Sequence, residues 1–296
     1  MLTSDSPLLR GVACLAAICL TLTTASLAEE TLPIENPPAE KAIAQGLDIV
    51  WTPTDYAGVE TFSLRLTEPY PIAFSAVRLD LKATLRFFVT PQNGDAPEDT
   101  NSETAGTFMR RHGCQVVING SPYGPVVSSE GIPQNVLGIS ASNGDLYSKE
   151  KVDYDAVFIS PDNEVRFGKR PPEGMTVHNA LSGFNMVLVD GKNVGAGGAR
   201  HPRSSIGLSK DKRYLYLAVR DGRQPEYSIG ATLAELGDWM QRLGADTALN
   251  LDGGGSSALL LADKDGDPIV LNRPCNLGLP GVQRPNANHL GVFVGK

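Results

Sequence analysis

The stretch Thr247-Ala-Leu-Asn-Leu-Asp252-Gly-Gly-Gly-Ser-Ser257, followed by Ala258-Leu-Leu-Leu261, decides how the rest of the chain reads. Its apolar run from Ala248 to Leu251 predicts a strand with one interior Asn that stops at an acidic residue. Three successive glycines then give up side-chain packing and leave bare backbone. Glycine reaches φ > 0 freely and lets a ligand come close to the main chain. Successive N–H groups in such a turn can form an anion-binding concavity. With Asp252 at the strand end and the hydroxyls of Ser256 and Ser257 beside it, the stretch predicts a site for an anionic, hydroxyl-rich ligand. The plainer alternative is a tight strand-to-strand turn with Asp252 bonded to its own backbone.

Just before it, Thr232 and Glu235 have the spacing of a capping box, and Gly244 ends the helix they start. An earlier passage has the same plan: a helix over about Glu103 to His112, then Gly113, then a strand from Cys114 to Asn119. Met109, Arg111, Gly113 and Asn119 align without gaps with Met240, Arg242, Gly244 and Asn250. The pattern predicts an internal duplication of a helix–Gly–strand unit, with both strand ends aimed at one cleft. Further strands are expected over Gly46–Trp51, Glu60–Leu66, Ile72–Asp80, Leu81–Val89, Val136–Ser140, Ala156–Ser160, Met186–Val189, Arg213–Val219 and near the C-terminus. Ser142-Asn-Gly144 and Asp190-Gly-Lys192 read as hairpin turns. Asp263-Lys-Asp-Gly-Asp267 also reads as a hairpin turn, because no Glu closes a calcium loop. The fold class expected is α+β, a large mixed β-sheet core with a few flanking helices.

The N-terminus predicts export. Arg10 precedes an apolar run from Gly11 to Leu22, and Ser26-Leu-Ala28 offers a small-x-small cleavage site. The organisation expected is a signal peptide over residues 1–28, a Pro-rich linker over 29–46 and one domain over 47–296, periplasmic or secreted, with no stable membrane anchor after cleavage. Only Cys114 and Cys275 remain beyond the signal; an oxidising compartment permits a bond between them but does not require it. The formal net charge of −7 excludes a nucleic-acid binder that works through a general positive field, while leaving room for a local basic pocket.

Several motifs in order give the chain a family resemblance: Asn119-Gly120, His201-Pro-Arg203-Ser-Ser-Ile-Gly207, Val219-Arg-Asp-Gly-Arg223, Thr232-Leu-Ala-Glu-Leu, Leu243 through Ser257, Asn272-Arg-Pro274 and Arg284-Pro-Asn-Ala-Asn288. Over roughly Val116 to Val294 the sequence resembles the phosphodiester glycosidases. The resemblance implies hydrolysis of a sugar-1-phosphodiester, with a glycan or sugar-phosphate as substrate. It departs from the family pattern where Asn119-Gly120 continues as Ser-Pro-Tyr123 and where Ser204 replaces a common Thr. The residues suit the implied chemistry. Arg203 and Arg223 can fork onto phosphate oxygens, and the backbone of Gly253, Gly254 and Gly255 can add N–H donors. Asp252 can stabilise a positively charged sugar ring or activate water. Asp221 and His201 are candidates for proton transfer. Arg284 and Ser256 join the substrate-binding candidates, and Asn119, Asn250 and Asn288 are placed to bond sugar hydroxyls or orient carboxylates. No cofactor is demanded; a divalent metal bridging Asp252 and the phosphate is left open. Two other readings also stay open: an exopolysaccharide-processing glycosidase that needs no phosphate, and a non-catalytic carbohydrate-binding envelope protein.

Overall fold

The computed structural model describes residue 44 and residues 46–94, 98–148 and 154–295. The expected signal peptide lies outside them, as does most of the expected linker. The main elements, in chain order, are β1 (Val59–Leu66), β2 (Ile72–Asp80), β3 (Leu85–Val89), α1 (Ala105–His112), β4 (Val116–Asn119), β5 (Ser140–Ser142), β6 (Ala156–Ile159), β7 (Asn179–Ser182), β8 (Asn185–Val189), β9 (Arg203–Ser209), β10 (Tyr214–Arg220), α2 (Leu233–Leu243), β11 (Ala245–Asn250), β12 (Leu259–Ala262) and β13 (His289–Val294).

The first sheet runs Thr52–Pro53, β1, β2, β10, β9, β11, β8, Lys192–Asn193. The second runs Pro268–Val270, β12, β4, β13, β3, and the third Asp145–Ser148, β5, β7, β6, Val165–Gly168. Every pairing in these sheets is antiparallel, so the expected mixed sheet is corrected to several antiparallel ones flanked by two helices. Two-residue turns explain part of this, since a tight turn can join only antiparallel neighbours. Asn143 and Gly144 have φ 51° and 92°, and Asp190 and Gly191 have φ 47° and 72°, the left-handed pairs that such hairpins need. The Asp263–Asp267 stretch is a third turn, with Asp263 Oδ1 accepting from the N–H groups of Asp265 and Asp267.

Alternation along the strands builds the layers. In β10, Leu215, Leu217 and Val219 join the central core between the first two sheets, with Ile206, Leu249, Ile118 and Leu290. Tyr216 and Ala218, on the opposite side, face α2, whose Trp239 stacks on Phe74 at 5.0 Å. Helix α1 covers the outer side of the second sheet, packing Phe108 and Met109 with Phe88, Val117 and Leu260. The third sheet contributes Val157, Ile159 and Leu181 to the central core.

Both helices end as their sequences predict, at Gly113 (φ 70°) and Gly244 (φ 108°) in the left-handed region. The capping box of α2 is formed in both directions: Thr232 N–H donates to Glu235 Oε2 at 2.8 Å and Glu235 N–H to Thr232 Oγ1 at 3.1 Å. Helix α1 starts at Ala105 rather than near Glu103, because Glu103 exchanges main-chain bonds with Asn286. Duplication of the two helix–Gly–strand units is not confirmed, since β4 and β11 belong to different sheets. Their ends nevertheless meet, as described below. Residues 47–51 form no strand; Leu47, Ile49 and Trp51 instead lay their side chains against the apolar cluster under α2. Cys114 and Cys275 are both buried and are not bonded to each other. No helix among the described residues is long and apolar enough to cross a membrane.

Candidate active site

The triple glycine leaves β11 as one 3-10 turn, Gly254–Ser256. At each glycine something else occupies the place of a side chain. A Cβ on Gly253 would lie 2.6 Å from Pro202 O, and one on Gly254 would lie 3.2 Å from both terminal nitrogens of Arg223. A Cβ on Gly255 would collide with the guanidinium of Arg284. The expected anion nest of N–H groups is only partly present. Gly254 N–H donates to Pro202 O at 2.8 Å, and Gly253 N–H turns to the Asp252 carboxylate. What the glycines admit instead is cationic side chains.

Three arginines reach this turn from separate elements. Arg203 begins β9; its Nε donates to Ala231 O at 3.1 Å and its Nη2 to Ala199 O at 3.3 Å. Burial, and then the neighbouring charge of Arg223, pushes its pKa down. Arg223 has φ 59° and follows Gly222, whose missing side chain lets the loop after β10 pack on the main chain of Pro202 and His201. Arg284 donates from Nε to Asn276 Oδ1 at 3.0 Å. None of the three has a carboxylate within 4.0 Å among the described residues. Asp252 is the anion that Arg284 and Arg223 act on, and Arg203 joins the group through the charge of Arg223. Asp252 keeps some solvent contact but has protein on nearly every side, and this burial raises its pKa to about 6. The Ser256 hydroxyl, the Gly253 N–H and the charges of Arg284 and Arg223 all pull the other way.

Other expected site residues hold the frame. Asn119 Nδ2 donates to Asp252 O at 2.7 Å, and its Oδ1 accepts from Ser204 Oγ at 2.7 Å and from Ala258 N–H at 3.2 Å. This one side chain joins β4, β9 and the segment around the turn. Asn288 Oδ1 accepts from Ser121 N–H at 2.7 Å, and its Nδ2 donates to the hydroxyls of Ser140 and Ser121 at 3.1 and 3.3 Å. Both side chains are completely buried in these bonds. Asn250 is different: its Oδ1 is buried without a hydrogen-bond partner, as is the hydroxyl of Ser257. Asp221 spends both carboxylate oxygens on a clip, accepting from Asn272 Nδ2 at 2.8 Å and from Arg273 N–H at 2.9 Å. Burial raises its pKa to about 6 despite those bonds. His201 is held by a two-way main-chain bridge to Ala231.

Sequence reasoning missed Tyr123 and Asn276. Tyr123 donates to Pro285 O at 3.0 Å, and its hydroxyl, its pKa raised by burial, lies within electrostatic reach of Ser256, Asp252 and Arg284. Its signal was position, four residues past Asn119 in the chain. Asn276, which holds Arg284, gave no signal. Among the described residues no group of three or more His, Cys, Asp or Glu side chains can hold a metal ion, and the neighbours of Asp252 are cations; this donor set does not fit a divalent metal. An open groove of about 550 Å³ near Tyr56 and Asp263 contains none of these residues.

The sequence pattern of the phosphodiester glycosidase family matches residues 112–293. Among solved structures, the chain is similar to the catalytic domain of zebrafish N-acetylglucosamine-1-phosphodiester α-N-acetylglucosaminidase, described as auto-inhibited by its pro-peptide, with 18% identity and a TM-score of 0.64, over 84% of this chain and 87% of that one. It is also similar to a hypothetical protein from Synechocystis, with 15% identity and a TM-score of 0.59, over 80% of this chain and 62% of that one. At these identities the likeness is one of fold. No curated protein matches the chain.

Proposed function

Because the chain belongs to the phosphodiester glycosidase family and is a glycosidase acting on phosphodiester-linked sugars, we propose that it is exported and hydrolyses a sugar-1-phosphodiester bond in a cell-envelope or extracellular glycan. The apolar N-terminal run with its small-x-small site supports export. The observation that carries the chemistry is a set of arginines, none paired with a carboxylate: Arg223 and Arg284 at the glycine turn beside Asp252, and Arg203 next to Arg223.

The phosphodiester group, with one negative charge, lies over Gly254 and Gly255, where guanidinium forks meet its oxygens. Water attacks the anomeric carbon as the bond from that carbon to the phosphate oxygen breaks. The electron pair leaves with the phosphate, which stays on its carrier and gains charge. Three cations against one carboxylate stabilise that growing charge more than the starting diester, which is the condition for lowering the barrier. Asp252, ionised, takes the proton of the attacking water. Phosphate leaves readily, so no strong general acid is required, in keeping with an Asp221 whose oxygens are already engaged.

Hydrolysis of a sugar-1-phosphodiester by Asp252→Asn and Arg203→Ala proteins tests this. The first is expected to lose about 1,000-fold in kcat and the second about 100-fold in kcat/KM. Full activity in both would overturn the assignment. Comparing phosphate-linked with ordinary glycosides separates it from a glycosidase that needs no phosphate.

A further inference from the structure

Beside Arg223 and Arg284 stands a short hairpin that the mechanism leaves unused. Its strands Cys275–Asn276 and Leu279–Pro280 pair antiparallel, with Asn276 opposite Leu279, and Leu277 and Gly278 connect them. The hairpin is tied at its base to the Arg284 guanidinium and to the main chain of Arg223. Arg284 Nε donates to Asn276 Oδ1 at 3.0 Å, and Cys275 Sγ lies 3.9 Å from Arg223 O. Opposed residues in an antiparallel pair project from the same face, their Cβ atoms about 5 Å apart. Leu279 therefore flanks the face on which Asn276 meets Arg284.

This rim has the opposite chemistry to the floor of the site. Leu277 is 73% exposed, more than any other large apolar side chain among the described residues, and Leu279 and Val282 are 56% and 42% exposed. Leu277 also sits where the backbone disfavours it. Its φ is 53° and that of Gly278 is 73°, the left-handed pair of a two-residue hairpin in which Asn-Gly is the usual choice. A leucine there meets a repulsion of about 1 kcal/mol, and it belongs to none of the apolar clusters. Neither the turn nor the core accounts for it. Single exposed apolar residues are ordinary. Three within six positions, tied to arginines that lack carboxylate partners, make a two-part surface: a cationic floor with an apolar lip. That combination is complementary to an amphiphile with an anionic head.

We infer that the phosphodiester cleaved here carries an apolar chain on the far side of its phosphate from the sugar, and that this chain lies over Leu277 and Leu279 while the phosphate sits among Arg203, Arg223 and Arg284. The inference rests on the phosphodiester hydrolysis proposed above.

The test uses hexose-1-phosphate and N-acetylhexosamine-1-phosphate diesters, each made with a methyl and with a decyl group on the phosphate and kept below the micelle concentration. Wild-type protein is compared with a Leu277→Asn, Leu279→Thr double variant, chosen because Asn suits the turn and Thr suits the strand. Wild type is expected to show a KM at least about tenfold lower for the decyl ester. The variant is expected to lose that advantage while keeping its kcat and its KM for the methyl ester. Equal KM values in wild type, or an advantage that survives in the variant, would remove the lip but leave the hydrolysis standing. Turnover of neither ester would remove both. Sedimentation on the same samples adds one more overturning result: a variant that changes only its oligomeric state, with the KM ratio intact, makes the lip a contact between copies of this chain.

Discussion

Asp252 and the two glycines nearest the arginines concentrate the residue-scale chemistry. A base with a pKa of about 6 makes kcat/KM fall as pH drops through 6, because protonation removes the carboxylate. A pH profile that instead falls above 6 would assign Asp252 the role of acid. The same raised pKa has a consequence for stability. A carboxyl whose folded pKa lies above its unfolded value favours folding fully below the unfolded pKa of about 3.9, and that contribution is lost as pH rises through 6. Asp252→Asn, which mimics the neutral form, is therefore expected to be more stable than wild type by about 1–2 kcal/mol at pH 7.5. The gain should vanish near pH 4, as read by denaturant unfolding. Gly255→Ala tests the packing of Arg284. The new methyl displaces the mobile end of a side chain rather than backbone, so a drop of at least about tenfold in kcat/KM is expected with little change in melting temperature. From the sequence, three glycines signalled a close approach to the backbone. What approaches was not legible, because Arg223 and Arg284 lie roughly 30 residues away on either side of the turn and nothing local fixes their direction.

At the scale of elements, the sequence was most informative where bonds are local. The α2 capping box and both left-handed glycine ends are set by residues within one turn of the chain. Thr232→Ala is expected to cost about 1 kcal/mol in equilibrium unfolding. Sheet order was less legible. Periodicity shows that β10 is a strand and which side faces the core, but its neighbours β2 and β9 are chosen by surfaces far apart in sequence. The same limit applies to Asp221. An Asp-Gly pair between two arginines reads as a catalytic loop, yet the carboxylate clips that loop to Asn272 and Arg273. Asp221→Ala leaves those two donors without their acceptor and is expected to destabilise the fold by about 2–3 kcal/mol, measurable by chemical denaturation.

Across the whole molecule, the layers of helix, sheet, sheet and helix bury His289 completely, stacked on Phe108 at 5.1 Å with neither ring nitrogen bonded. Burial lowers its pKa to about 3; Glu130 opposes the shift and His112 adds to it. A base with a depressed folded pKa contributes stability above its unfolded value of about 6.5, and that stability is lost as pH falls toward 3. His289→Leu removes the penalty. Its stability relative to wild type should rise by about 2–3 kcal/mol between pH 7.5 and 4.5, whereas a constant difference across that range would show that His289 has a partner for its proton. What the sequence by itself determined was local and periodic: the helix caps, the hairpin turns, most of the strands, and a glycine turn that follows a carboxylate. Those properties follow from interactions between residues a few positions apart. Only the tertiary structure decided that the sheets are antiparallel and separate, that Asn119 and Asn288 bind the frame, and that Arg223 and Arg284 converge on Asp252 with Arg203 beside Arg223. Each of those depends on contacts between surfaces brought together by burial of the common core, and no short-range pattern in the chain encodes them.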